Sequence, residues 1–408
     1  MKNFKKLIFA VALLLHSTLS IAQNIKHYDG YVEIDAKKHV LKAEFMISFK
    51  TLPVGESMKL FLHRASKNLV IKSGNKEIAT TITDEEFVEK DHAITFERSK
   101  IKNLKLKVSY TLNLDSLSNN GFRFHKNWIE LNLYTAWYPI NTNYGRFPYT
   151  VKTTINKEYK LFGSGIVNKK GRKWVIDQAI PSIDISQIFY KELEEEAIGN
   201  IKLYHININN EAVTTIKRNT ESHYKLLNNW LGQTTSTKLY LAVSNLKHTT
   251  SYARKNFISL SVAKKYSEPY DKILAHELGH LWWNKASVNS WEEWLNESFA
   301  EYTAIIAQRH LFGEKNFIKN INNLKKRTEK LASPYQLKKG TKNYQKSVTH
   351  KGAYFLYELE NKIGREKMAA LMRTIHIAKI TTTKDLLKLV HDNQGKEIAS
   401  FLLNLLKH

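Results

Sequence analysis

The sequence predicts an α+β chain of more than one domain: an N-terminal antiparallel β-domain followed by a mainly helical domain. Three observations carry this. The chain has 408 residues, more than one ordinary domain holds. In the first half apolar residues recur at every second position, the period of a sheet with one dry and one wet face. From about Tyr270 the apolar spacing becomes helical and stays so to the end. With 42% hydrophobic and 11% aromatic residues the chain can bury a core, which excludes a disordered or low-complexity class.

The first stretch reads as a secretory signal. Lys2, Lys5 and Lys6 form a basic start, Leu7 to Leu15 a short apolar run, and Ser20-Ile21-Ala22 a small-x-small cleavage site. The expected signal covers residues 1–22 and the mature chain begins at Gln23. The run is far shorter than the roughly 20 apolar residues of a spanning helix. The expectation is therefore an exported protein, periplasmic or extracellular, with no transmembrane segment. The chain has no cysteine, so it forms no disulfide and carries no cysteine lipid anchor. Any metal must be held by histidine and carboxylate.

In "VLKAEFMISFK", Leu41, Ala43, Phe45, Ile47 and Phe49 alternate with mostly polar neighbours. In "LKLKVSYTLNL", Leu104, Leu106, Val108, Tyr110, Leu112 and Leu114 do the same. "WIELNLYTAWYP" continues the pattern, and turn signals at 73–75 and 118–121 separate such runs. The acidic run "ELEEEAIGN" ends near Asn200. It sets the expected boundaries, a β-domain at 23–200 and a second domain at 201–408. The second domain opens on strand-like "IKLYHINI" and a helix closed by Gly232, then strands "KLYLAVSN" and "NFISLSVA". Helices are expected at 271–285, 291–311, about 314–331 and 349–376, with two short ones to the end.

Net charge is +25, which points to an anionic surface partner. The basic residues are scattered, without recognition-helix or zinc-finger spacing, so specific nucleic-acid binding is not expected.

The chemistry concentrates in "AHELGHLWWNKASVNSWEEWLNESFAEY", Ala275 to Tyr302. His276 and His280 are four apart, on one helix face, so two imidazoles can meet one ion, and Glu277 can reach a water beside it. A hydrolytic zinc site wants three protein ligands and an open position. Glu297, on a second helix starting near Trp291, can supply the third if a short loop folds that helix back. Its apolar flanks, Trp294, Leu295, Phe299 and Ala300, set it on a buried stretch, where a metal compensates a carboxylate that would be costly alone. Trp282, Trp283, Trp291 and Trp294 read as core and pocket wall.

"HELGHLWW…WLNESFAEY" resembles the gluzincin zinc metallopeptidases, and among them the aminopeptidase N-like family, which pairs His-Glu-x-x-His with a "WLNEGFA" segment. The resemblance implies one zinc ion per chain held by His276, His280 and Glu297, Glu277 as general base, and a peptide or protein substrate. It also implies a thermolysin-like catalytic domain behind the β-domain. The match is strong over about 35 residues and architectural elsewhere. Alternatives it leaves open are a weak or inactive zinc-stabilised binding module and a zinc hydrolase of a non-peptide substrate.

The chain departs from the family pattern in four places. The family has eighteen residues between the second histidine and the glutamate; here Leu281 to Asn296 is sixteen, as a shortened loop would give. The family's exopeptidases carry an amine-gripping glutamate in Gly-x-Met-Glu-Asn, before the edge strand that binds substrate; here "SYARKN" places Arg254 and Lys255 there, and the "FISLSVA" that follows is the strand along which a peptide is expected to add. That implies substrate binding by Arg254 and Lys255, in an endopeptidase or an enzyme preferring acidic or C-terminal groups. The family's transition-state tyrosine is replaced by Thr349 in "SVTHKGAYFLYELENKIG". His350 is the expected substitute, with Tyr344 and Tyr354 as further candidates. Last, Glu301 follows Glu297 by one helical turn, where it can support a ligand histidine from behind.

Overall fold

The computed structural model describes residues 25–51, 56–87, 90–117, 123–141, 145–234, 238–246, 250–263 and 265–408. The expected signal segment and the turn at 118–121 lie outside them. Among the described residues no helix is long and apolar enough to cross a membrane.

The first half is β. Its largest sheet has eight strands, in the order Ile166–Lys170, Lys173–Ser182, Phe147–Ile155, Ile25–Asp35, Val40–Phe49, Lys105–Asn113, Ser66–Ser73, Lys76–Glu77. Every pairing is antiparallel except that of Ile25–Asp35 with Phe147–Ile155. The period-two residues explain why this sheet forms: Leu41, Ala43, Phe45, Ile47 and Phe49 are all buried, as are Leu106, Val108, Tyr110, Leu112 and Leu114. Leu104 breaks the series. It sits just before its strand at φ 51° and is 38% exposed. A continuous apolar cluster, from Ile25 to Phe189, fills this half.

A smaller sheet, in the order Lys160–Gly163, Gln187–Tyr190, Trp128–Leu131, Arg123–His125, faces the second half. Its Trp128, Phe162 and Ile188 pack with Tyr204, Ile206, Ala242, Tyr252 and Phe257 into one shared cluster. The two halves are thus joined by an apolar interface, and the second half's edge strand is rooted in it through Tyr252.

The second half has a five-stranded sheet, in the order Glu194–Ile198, Ile201–Ile206, Leu239–Ser244, Phe257–Ser261, Tyr252–Arg254. The acidic run near Asn200 is its first strand, paired antiparallel with Ile201–Ile206, so this sheet starts at Glu194. Phe257–Ser261 is interior. Tyr252–Arg254 pairs antiparallel with it, Ala253 opposite Ile258, and takes the outer edge.

Eight helices of twelve residues or more follow or interleave: α1 (Asn210–Leu231), α2 (Glu268–Gly279), α3 (Trp294–Phe312), α4 (Glu314–Thr328), α5 (Gly352–Ile363), α6 (Arg365–Ile377), α7 (Thr383–Gln394) and α8 (Lys396–Lys407). The helix expected at 349–376 is broken at Gly364, whose φ of 88° no helix accommodates. Their apolar faces build one core from Ile198 to Leu406 that includes Trp282, Trp283 and Trp294.

Helix α2 is anchored by a buried polar node. Asp271, fully buried, accepts from Asn219 Nδ2 at 2.7 Å and pairs with His223 Nε2 at 3.0 Å, both on α1. Tyr266 Oη donates to it at 3.2 Å. Burial opposes charge on the Asp271 carboxyl, but the hydrogen bonds from His223 and Asn219 hold it below its usual range. Replacing Asp271 by alanine leaves His223 buried without its partner and should cost about 3–5 kcal/mol, read as a lower urea midpoint. The wild-type contribution is full above the unfolded carboxyl pKa of about 4 and is lost as pH falls through the lower folded value.

Candidate metal centre

His276 lies in the last turn of α2 and His280 is its C-cap, still in right-handed helical conformation. The four-residue spacing sets the two rings side by side, centroids 4.8 Å apart and nearly perpendicular. The chain then turns and re-enters helix at Trp294, so that α3 packs back on α2. Gly279 permits the contact: a Cβ there would stand 3.2 Å from Ala300 Cα.

This brings Glu297 between the rings. Its Oε2 is 3.7 Å from His276 Nε2 and its Oε1 3.6 Å from His280 Nε2. The sixteen-residue connection therefore reaches. Three ligand atoms each about 2.1 Å from one tetrahedral zinc stand roughly 3.4 Å from one another, close to the gaps seen here. Among the described residues this is the one cluster of three or more histidines and acids with metal-ligand spacing.

Both rings are held from behind. His276 Nδ1 is 3.1 Å from Glu301 Oε2, and His280 Nδ1 is 3.1 Å from the Trp283 carbonyl oxygen. Each Nδ1 therefore donates, which turns each Nε2 towards Glu297. Glu301 in turn pairs with Lys272 through its other oxygen.

The electrostatics ask for a cation. Burial opposes charge on the His276 ring, yet Glu297 and Glu301 raise its pKa to about 10. Burial also works against the Glu297 carboxylate, but His276 and His280 hold it down to about 2. Burial pushes Glu277 up to about 7, with His276 opposing. Two imidazoles and a carboxylate facing one point are the donor set zinc takes, the ion replacing the proton that His276 otherwise holds, so the residues fit the ion.

Glu277 is buried, and the Ala253 backbone on the edge strand is near enough to act against that burial on its carboxyl. Arg254, next along, is also buried. Its Nε donates to Asp184 Oδ2 at 2.8 Å, a residue of the first half. Lys255 is half-buried, and burial lowers its pKa. Tyr252 Oη donates to Glu130 Oε1 at 2.7 Å, again across the halves.

The segment after α4 adds a π-helical turn, Ser347–Lys351, at the mouth of α5. Thr349 donates from Oγ1 to Glu297 Oε2 at 3.2 Å, so the residue in the family's tyrosine position is spent on the third ligand. His350 goes to the other side: its Nδ1 is 3.4 Å from Glu301 Oε1. Tyr344 is turned to the Ser290 carbonyl oxygen, 3.0 Å away, and Tyr354 to Glu358. Gly352 fixes this turn against α3, since a Cβ there would lie 2.0 Å from Ser298 Oγ and 3.1 Å from Trp294 Cε3.

Sequence reasoning missed the first half's share of the site. Tyr134, in the turn Leu133–Thr135, is near enough for Glu277, Glu297 and Arg254 all to act on its hydroxyl. Arg146 donates from Nη2 to the Asn284 carbonyl oxygen at 2.6 Å, just past His280. None of these stands in a motif; only the packing of the small sheet on the edge strand brings them in.

The profile of the Peptidase family M1 domain matches residues 204–404. Those residues carry the domain of the M1 peptidases, the aminopeptidase N-like gluzincins, which marks the chain as a peptidase. No curated protein matches it. Among solved structures, the M1 zinc metallopeptidase from Deinococcus radiodurans is similar with a TM-score of 0.68 at 14% identity, over 95% of this chain and 94% of that one. A mutant of an M1 zinc metallopeptidase from the same organism, bound to a Tyr-Ser-Ala substrate, gives 0.65 at 15% identity, over 95% and 94%. Native yeast LTA4 hydrolase gives 0.68 at 14% identity, over 93% of this chain and 66% of that one. These likenesses are of fold: a sheet domain followed by a helical one.

Two outcomes are expected. Glu301→Ala removes the acceptor that orients His276, and zinc affinity should fall about 10- to 100-fold in competition with a chelating dye. Gly352→Ala forces the π-helical turn off Ser298 and should cost about 1–3 kcal/mol, measured by thermal melting.

Proposed function

We propose that the chain hydrolyses peptide bonds with water, using His276, His280 and Glu297 to hold one zinc ion and Glu277 as general base. The observation that carries this is the facing of two Nε2 atoms on one carboxylate, with both Nδ1 atoms held from behind. Zinc, when bound, lowers the pKa of a water and polarises a carbonyl. The protein's own groups do the rest.

Glu277 takes the proton of the attacking water and hands it to the departing amine. The Ala253 backbone acts on its carboxyl, which sets the base beside the edge strand. A peptide lies along that strand, Tyr252–Arg254, by backbone hydrogen bonds, with Arg254 and Lys255 as its flanking side chains. The interior position of Phe257–Ser261 removes that strand from this role. Thr349 holds Glu297, and Glu301 with Lys272 holds His276.

The developing oxyanion needs a donor. Of the two candidates, Tyr134 is the proposed donor in place of His350. Tyr134's hydroxyl is under the influence of both Glu277 and Glu297, whereas His350 pairs with Glu301 behind the metal-binding ring. The protein is exported, on the strength of the basic start and short apolar run of residues 2–15.

The test is cleavage of an unstructured peptide followed by mass spectrometry. Glu277→Gln should abolish turnover while zinc content stays at one per chain; equal turnover by the variant would end this reading. Tyr134→Phe should lower kcat on the order of 100-fold with KM little changed, the loss of one oxyanion donor. A drop of that size in His350→Ala instead, with Tyr134→Phe unaffected, would reverse the assignment.

A further inference from the structure

We propose that the cleft beside the metal centre binds a carboxylate of the substrate, with Arg254 as the receiving group. The proposal rests on the peptidase reading above and names its substrate class.

Arg254 is only 7% exposed. Its Nε donates to Asp184 Oδ2 at 2.8 Å and its Nη1 to the Ala253 carbonyl oxygen at 2.8 Å. Its Nη2 is buried and makes no hydrogen bond. A buried guanidinium N–H is costly without an acceptor, so this atom wants one from outside the fold. The Arg254 charge acts on Glu277, His280 and Tyr134, which puts it at the reaction space.

The side chain is also held rigid. Its guanidinium carbon lies 4.7 Å from the Tyr252 ring centre and 5.8 Å from that of Tyr134. Asp184 is itself fixed, since Ser186 Oγ donates to it at 2.6 Å and Tyr138 Oη at 3.4 Å. A pre-set planar fork loses little freedom on meeting a carboxylate.

The surroundings share the sign. Arg146 is held below its usual range by burial and by Arg254. Lys285 is held down by burial and by Arg146, Lys379 and Lys255, all of them cations. Most nearby acids are already committed: Glu297 faces the two histidines, Glu301 is paired with His276 and Lys272, Glu130 takes Tyr252 and Trp128, and Asp184 takes Arg254 Nε, which leaves Glu277, the proposed base. A protonated amino terminus placed here would meet Arg254 rather than a carboxylate, and like charges in a cleft reject a partner. An acidic side chain or a free C-terminal carboxylate meets the opposite field.

The experiment reads binding apart from cleavage. Zinc-loaded Glu277→Gln protein is titrated with three labelled peptides that share a neutral sequence and a blocked amino terminus. One has a central Glu and an amidated end, one a central Gln and an amidated end, and one a central Gln and a free carboxyl end. Either carboxylate peptide should bind about tenfold more tightly than the neutral one, as a charge-assisted pair gives. Which of the two gains identifies the carboxylate's source. Adding Arg254→Gln with Asp184→Asn, which removes the buried pair together, should bring the preference below about threefold. Should that variant fail to fold, Lys285→Gln in the same background should lower the preference and steepen nothing in its salt dependence. Equal affinity for all three peptides overturns the proposal. A carboxylate preference in the Glu277→Gln protein, together with a wild type that cuts nothing, supports this inference and sinks the peptidase reading instead.

Discussion

The site depends on how closely α2 and α3 approach. His276 and His280 stand on one and Glu297 and Glu301 on the other, and the contact is set by Gly279 against Ala300, with room for no Cβ without a shift. One consequence follows from helix geometry alone. Glu297 and Glu301 are one turn apart, and they address opposite nitrogens of the same ring, Nε2 and Nδ1 of His276. A single helix face thus both completes the ligand set and orients its first member. The turn that carries Thr349 then leans on the same helix through Gly352 and Ser298, so the third ligand is held from its far side as well.

Charge is sorted across a short distance. Inside, Glu277, Glu297 and Glu301 surround two imidazoles, and Lys272 offsets only part of that charge. The pocket therefore favours a divalent cation. Immediately outside, Arg254, Arg146 and Lys285 repel one another. In the proposed function the negative interior takes the metal and the positive rim meets the substrate, two opposite fields kept apart.

Much of this was legible in the residues. The two rings and the third carboxylate follow from helical spacing and from the apolar context of Glu297, and the β character of the first half from alternation such as Leu41 to Phe49. Other features were not. The edge position of Tyr252–Arg254 depends on a short hairpin whose three residues carry no periodic signal, so Phe257–Ser261, with its stronger apolar run, reads as the edge. The break at Gly364 was hidden inside a helical pattern that continues on both sides. The acidic strand Glu194–Ile198 reads as a linker because its pairing with Ile201–Ile206 is backbone-driven. Tyr134, Asp184 and Arg146 were invisible because they reach the site only through packing between halves, which no local spacing records.

Three polar contacts cross between those halves at the cleft: Asp184 with Arg254, Glu130 with Tyr252, and Arg146 with the Asn284 carbonyl. The working surface is therefore a joint product of two folding units. Synthesis delivers the β half first, and the helical half, however well it coils its own zinc-binding residues together, has no finished groove until it docks. Docking of the halves, rather than the folding of either one, is thus the step that finishes the groove.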